Sequence, residues 1–396
     1  MQHFGWHPHG NFGCRHASPI LDDLKAVALD DNSIGMVIEM PSAPLPRGDI
    51  KTFGYSEQEI EGEAVRLQNA IKQPVRWSIE VCRSIAPLTL EINRLKREIG
   101  VFLIAHSYQT PDITYGVADS VADSYALSKE ARDAPQQTIL FSSVRFMAET
   151  AKIVSPNKTV LHPSPDAGCS LSDGITARDV VALKEAYPGV PVVCYINTSA
   201  AVKAECDVCV TSSNYLKICE RLPGDQLIFI PDRFMGKHLQ KALAGKKEVI
   251  VYDGECEVHA AFSGEKIRIW KRNMSDRGID LVVMSHPECE EGVLEESDVV
   301  GSSEVLKDEA LRLSSEGKRD IMLITECGTA DRVLAESEER INLIGACVMC
   351  QHMKRTQLED ILQALRDPEP EQIVELGQEI IERAKMSLDE MFRLAE

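Results

Sequence analysis

A period of roughly 90 residues constrains this chain more than any other feature of its sequence. Asp123-Ser124-Tyr125-Ala126-Leu127 aligns with Ser212-Ser213-Asn214-Tyr215-Leu216 and with Ser302-Ser303-Glu304-Val305-Leu306, the leucines standing 89 and 90 residues apart. Ahead of each lies a helix-like segment and then an apolar strand. Segment 86–100 precedes VFLIA and His106-Ser107-Tyr108; 176–187 precedes VPVVC and Tyr195-Ile196-Asn197; 265–274 precedes DLVVM and Ser285-His286-Pro287-Glu288. The strands TILFSS, LIFIPD and IMLITE follow in register, then TVLHPSPDAGC, EVIVYDGEC and INLIGACVMC. Strands alternating with helices predict parallel βαβ units, whose ligands sit beyond the carboxyl ends of the strands. The fold class is therefore α/β: three pseudo-threefold-related α/β domains with parallel sheets. Their expected bounds are 77–175, 176–262 and 263–356. C-terminal helices follow over 357–396, the first at 357–366 and the second from 371 onward. Residues 1–76 fall outside the period and hold four histidines (His3, His7, His9, His16). They are expected to form a poorly ordered extension that a folded, active chain can lose.

Composition excludes several classes of function. The formal net charge is −19, and an acidic surface repels polyphosphate, so a nucleic-acid partner is not expected. No apolar run approaches the length of about 20 residues that a membrane span needs, and MQHFGWHPHGNFGCRH lacks the apolar centre of a signal peptide. A cytoplasmic address is expected. In that reducing setting twelve cysteines are metal ligands, catalytic thiols or small buried residues rather than a disulfide framework.

The period separates those cysteines. Cys169, Cys256 and Cys350 each follow the last strand of a unit, at intervals of 87 and 94 residues. A threefold arrangement would carry one from each unit to a common point. Two C-x2-C pairs compete, Cys206/Cys209 and Cys347/Cys350, and together suggest a four-cysteine zinc site. Cys206 and Cys209, however, fall opposite Ser297 and Val300 and read as small core residues. Cys289 and Cys327 lack counterparts in the other units, Cys14 lies in the extension, and Cys82, Cys194 and Cys219 stand in apolar contexts. Three thiolates suit a 4Fe–4S cluster with one iron open, a Lewis acid for a hydroxyl or carboxylate. Spacing alone leaves iron–sulfur and zinc both open. The three serine motifs open helices at one phase, and helix N-termini offer N–H groups to phosphate or carboxylate.

At these motifs the chain resembles the quinolinate synthase A family, from about residue 86 to the C-terminus. The resemblance rests on AHSYQ (105–109), VRFMAETAKI (144–153), AGCSL (167–171), YINTSAAVKA (195–204), TSSN (211–214), PDRFMG (231–236), GECEVH (254–259), HPEC (286–289), GSS (301–303), TECG (325–328) and the Cys350-x2-Met353 ending, in that order. It implies three stacked α/β domains around a central 4Fe–4S cluster held by three cysteines. It also implies a transferase of NAD biosynthesis that condenses iminoaspartate with dihydroxyacetone phosphate to quinolinate, phosphate and water. The family's ligand cysteines match Cys169, Cys256 and Cys350. Its pocket residues match His106, Tyr108, Ser124, Met147, Tyr195, Asn197, Ser212, His259, His286, Glu288, Ser302 and Ser303. Implied partners are the iron–sulfur assembly machinery and L-aspartate oxidase. Ser142 and Ser143 replace a common Cys-Gly, Ser303 replaces a usual threonine, and Ile344 replaces a cysteine found in some relatives. A redox pair beside the cluster is thereby limited to Cys347 and Cys350.

The residue types suit that chemistry. Carbon–carbon bond formation, isomerisation and dehydration all move protons, and His106, Tyr108 and Glu288 at strand ends are the expected acid–base groups. Two other readings use the same residues: an iron–sulfur hydro-lyase on another small carboxylate, and a non-catalytic iron–sulfur or zinc metabolite sensor. A sensor needs no acid–base set.

Overall fold

The computed structural model describes residues 43–44, 46–47, 52–345 and 347–396. Twelve strands make three four-stranded, wholly parallel sheets. The first holds β1 (Val101–His106), β2 (Ser120–Ala122), β3 (Thr138–Ser142) and β4 (Thr159–Leu161), in the order β2-β1-β3-β4. The second holds β5 (Val192–Tyr195), β6 (Val208–Val210), β7 (Gln226–Ile230) and β8 (Glu248–Val251), ordered β6-β5-β7-β8. The third holds β9 (Val282–Ser285), β10 (Val299–Val300), β11 (Asp320–Ile324) and β12 (Asn342–Leu343), ordered β10-β9-β11-β12. One topology is thus used three times. In each sheet the chain reverses direction between its first and third strands, which opens a crevice beyond their carboxyl ends.

The helix boundaries follow from local chemistry. Helix Ile79–Ile99 starts on the Ser78 cap and stops at Gly100, whose φ of 70° lets its N–H reach the Lys96 carbonyl before β1 begins. Helix Ala177–Ala186 opens on a Thr176–Asp179 capping box. At the chain's end, helix Leu358–Arg366 covers the first sheet's outer core, with Ile361, Ala364 and Leu365 buried beside Ile85 and Ile92. The last helix is shorter than expected, Gln378–Ala395, starting after Gly377 rather than at 371. It buries Leu388 and Met391 in the core shared by the first and second sheets. No helix among the described residues is long and apolar enough to cross a membrane.

The segment set apart as an extension is partly a packed element. Helix Glu57–Ile71, capped by a Ser56–Glu59 box, buries Ala64, Leu67 and Ile71 against Trp77 and Ile85. Just beyond it, Arg76 pairs with Asp331 at 2.6 Å, both side chains nearly buried. That pair ties the segment ahead of the first unit to a helix of the third, Cys327–Glu336. His3, His7, His9, His16 and Cys14 lie outside the described residues. Leaving one member of a buried pair uncompensated costs about 3–5 kcal/mol. Gln73 Nε2 still donates to Asp331 at 3.0 Å, so Arg76→Ala is expected at the lower end, about 3 kcal/mol, read by urea unfolding.

Candidate active site

Loops at the carboxyl ends of all three sheets enclose one cavity. Its wall includes His106 and Tyr108 after β1, Tyr195 and Asn197 at the end of β5, and His286 and Glu288 after β9. Ser124, Met147, Ser212, His259 and Ser303 line it as well, together with Cys169, Cys256 and Cys350. Ser302 alone of the residues singled out in the sequence is not on the wall. It is the buried cap of helix Ser303–Ser315, and its Oγ, near the Asp123 carboxylate, makes no hydrogen bond of acceptable geometry. Ser124 opens helix Ser124–Asp133, but Asp123 caps it, accepting from the N–H groups of Tyr125 and Ala126. Ser212 lies in the turn ahead of helix Tyr215–Arg221, two residues before the Asn214 cap position.

Glu288 is the hub. Its Oε2 lies 2.6 Å from His259 Nδ1 and 3.8 Å from His286 Nδ1, and Asn197 Nδ2 donates to Oε1 at 3.4 Å. The closer partner is therefore His259, from the second unit, and not the sequence neighbour His286. Burial alone would raise this carboxyl. Its electrostatic interaction with the His259 and His286 rings, with hydrogen bonds from His259 and Tyr195, brings it down to about 2. It is an anion at any working pH.

Burial pushes His106 and His286 the other way, to about 3 in each case; beside His106, the charges of Arg332 and Lys354 add to the effect. Both rings are neutral near pH 7. His106 Nδ1 accepts from the Tyr108 N–H at 3.1 Å, so its proton sits on Nε2. His162, buried below β4, is likewise lowered, to about 4. Unfolding exposes these rings to water, where they take a proton near pH 6.5. Between about pH 6.5 and pH 3 the unfolded chain then binds more protons, so stability falls as pH falls. Glu288 adds to the loss below about pH 4.5, because its folded value is depressed. The thermal midpoint is expected to drop steadily from pH 7 to pH 4; a flat profile would contradict the buried neutral rings.

The three cavity cysteines keep some surface toward the cavity while protein packs round their sulfurs. Burial raises all three thiols, Cys169 to about 12, Cys350 to about 11, and Cys256 well above its ordinary value. Such thiols are poor nucleophiles and suit a cation strong enough to displace their protons. Among the described residues, ligand-type atoms come within 4.8 Å of one another in a different group: Cys256, His259 and Glu288. His259 and Glu288 face each other as donor and acceptor at 2.6 Å, which argues against a single ion between them. The three sulfurs do not themselves form so close a group, in keeping with thiolates on separate irons of a cluster, which stand farther apart than donors to one ion. Cys347 is not left to pair with Cys350. It forms a disulfide with Cys327, with Cα atoms 5.2 Å apart. The partner of Cys347 is thus Cys327, not the Cys350 to which a redox pair had been limited.

Two residues that matter here were passed over as parts of the TECG stretch. Thr325 Oγ1 lies 3.0 Å from Tyr108 Oη and 3.1 Å from His259 Nε2. Buried Glu326 accepts from the Cys350 N–H at 3.1 Å, the Gly328 N–H at 2.6 Å and Lys354 Nζ at 3.0 Å, and so shapes the Cys350 loop. Lys354 also donates to the Tyr108 carbonyl. At Gly328 a Cβ would stand 2.5 Å from the Ser107 carbonyl oxygen, so only glycine lets this turn close on the loop after β1.

Three parallel sheets that converge thiols, neutral histidines, a tyrosine and one buried carboxylate on a single cavity define a class: an α/β enzyme for acid–base chemistry on a small molecule, equipped to hold a metal group. The family described as Quinolinate synthetase A protein matches residues 90–393. The chain is 40% identical over 348 residues to a quinolinate synthase of Caulobacter vibrioides, covering 86% of this chain and 90% of that one. It is 40% identical over 309 residues to a quinolinate synthase of Sinorhizobium fredii (78% and 83% covered). With quinolinate synthase 1 of Mesorhizobium japonicum the identity is 39% over 318 residues (80% and 93% covered). The chain belongs to the quinolinate synthase family.

Proposed function

We infer that the cavity carries out the family's reaction, the condensation of iminoaspartate with dihydroxyacetone phosphate to quinolinate, phosphate and water. The observation that carries this reading is the convergence on one wall of acid–base groups and thiols from three units. On this reading the units 77–175, 176–262 and 263–356 surround a central 4Fe–4S cluster held by Cys169, Cys256 and Cys350. When bound, such a cluster with one open iron supplies Lewis acidity toward a hydroxyl or carboxylate.

The protein's own groups do the rest. The substrates bring carboxylates and a phosphate into a cavity already holding the Glu288 anion. Hydroxyls and backbone N–H groups bind such ligands without adding a large basic patch. Ser124, at the first turn of its helix, and Ser212, in the turn before the next, are the hydroxyls for this task. Neutral His106 and His286 can donate from Nε2 without bringing charge. Tyr108, Glu288 and His259 handle proton transfer, with Tyr195 and Asn197 holding the carboxylate. Losing a hydrogen bond to a charged group costs about 1.5–3 kcal/mol, roughly 10- to 150-fold in binding. Ser124→Ala and Ser212→Ala are therefore expected to raise KM by about that factor, with kcat and iron content little changed.

Anaerobic purification, iron and sulfide analysis, and an assay for quinolinate test the reading together. Cluster with quinolinate formation supports it. Cluster without turnover on these substrates would favour the hydro-lyase or sensor alternatives.

A further inference from the structure

We propose that Thr325 is a positioning residue for this reaction: its one hydroxyl bridges Tyr108 Oη and His259 Nε2 and holds the two acid–base groups in line. Thr325 follows β11, buried, 217 residues from Tyr108 in sequence. The inference rests on the cavity's assignment to quinolinate synthesis.

Five side chains stand in one line. Ser303 Oγ donates to Tyr108 Oη at 2.8 Å. Tyr108 Oη lies 3.0 Å from Thr325 Oγ1, which lies 3.1 Å from His259 Nε2. His259 Nδ1 lies 2.6 Å from Glu288 Oε2. The line joins groups of all three units and runs from one end of the acid–base set to the other.

The hydroxyl joins two groups that come from different units. Thr325 Oγ1 is within reach of both Tyr108 Oη and His259 Nε2, and with one proton and two lone pairs it can donate to one and accept from the other. Ser303 holds Tyr108 Oη from the other side, and Glu288 holds the far nitrogen of His259. Without the Thr325 hydroxyl, Tyr108 Oη and His259 Nε2 each lose a buried partner and the two halves of the line come apart. The bridge, rather than the packing, is what the hydroxyl contributes.

Thr325→Val keeps the shape and removes the hydroxyl; Thr325→Ser keeps the hydroxyl and removes a methyl group. Both are compared with the wild-type chain, purified anaerobically, by iron and sulfide content, by calorimetric binding of quinolinate, and by kcat and KM. Leaving a buried polar partner unpaired predicts a kcat about 10- to 100-fold lower for Thr325→Val. KM, quinolinate affinity and iron content are expected to stay within about threefold, since the cavity wall is intact. Thr325→Ser should recover to within about threefold of wild type. Wild-type turnover in Thr325→Val would overturn the proposal, as would a Thr325→Ser variant no better than it. Loss of iron or of quinolinate binding in Thr325→Val would also overturn it, by showing a structural role. A wild-type chain that makes no quinolinate would overturn the cavity's assignment and the proposal together, whereas an active wild type with indifferent variants removes the proposal alone.

Discussion

Glu288→Gln is expected to lower kcat by roughly 10²- to 10⁴-fold, the range for losing a positioned acid–base group, while iron content stays at the wild-type level. A carboxylate held down to about 2 is a weak base by itself near neutral pH. Its value lies in its charge. Buried against His259 at 2.6 Å, it steadies the proton that His259 would take up in the transition state, as a carboxylate steadies a catalytic imidazolium elsewhere. Glutamine fills the same space and its carbonyl still accepts from Nδ1, but it brings no charge. Asn197 and Tyr195 retain an oxygen to contact, so substrate binding should change less than turnover. Steady-state kinetics beside iron analysis separate the two effects. Normal turnover in this variant, with the serine variants losing kcat alone, would mean that the roles are assigned the wrong way round.

The architecture was legible because parallel strands covered on both faces read as continuous apolar runs. VFLIA, VPVVC and DLVVM each end in polar residues, and β1, β5 and β9 stop within a residue or two of the expected points. The gathering of one cysteine per unit on a single wall followed from the period alone. Helix Glu57–Ile71 was missed although its signals were present: Ser56-x-x-Glu59 is a capping box, and Ile60, Ala64, Leu67 and Ile71 recur at helical spacing. It lay outside the repeat, and the histidine- and proline-rich stretch ahead of it set the expectation for the whole segment.

Thr325, Glu326 and the Cys327–Cys347 bond were hidden for a different reason. At the same phase the first unit carries Ser143 and Val144 after β3, and the second carries Pro231 and Asp232 after β7. The second and third units share an acidic helix cap there, Asp232 and Glu326, but no chemistry common to all three units marked the position. Their roles depend on contacts between units or between distant turns: Thr325 with Tyr108, Glu326 with the Cys350 N–H, Cys327 with Cys347. A repeat shows what each unit does alike. What one unit does for another appears only when the loops are brought together.

Cys169→Ser, Cys256→Ser and Cys350→Ser are each expected to abolish or sharply reduce iron and sulfide, and with them quinolinate formation. Cys206→Ser and Cys209→Ser are expected to keep both. The distinction follows from what the sulfurs face. Cys169, Cys256 and Cys350 open on the cavity, their thiols raised by burial, with Lys354 the nearby cation at Cys350. A thiol in that state gains from a metal that takes its place beside the sulfur, and a serine oxygen is a poorer match for iron of a cluster. Cys206 and Cys209 sit in the core of the second unit. Cys206 Sγ donates to the Val202 carbonyl at 3.1 Å, and Cys209 lies on β6 in register with Cys194 of β5. A serine at 206 can make the same hydrogen bond. The cost there is packing, which lowers stability without touching the ligand set. Iron, sulfide and zinc per chain, measured anaerobically with the visible absorption of the cluster, read the result. Equal iron loss in the second pair would overturn the ligand assignment, and zinc bound by four sulfurs in the wild-type chain would sink the iron–sulfur reading.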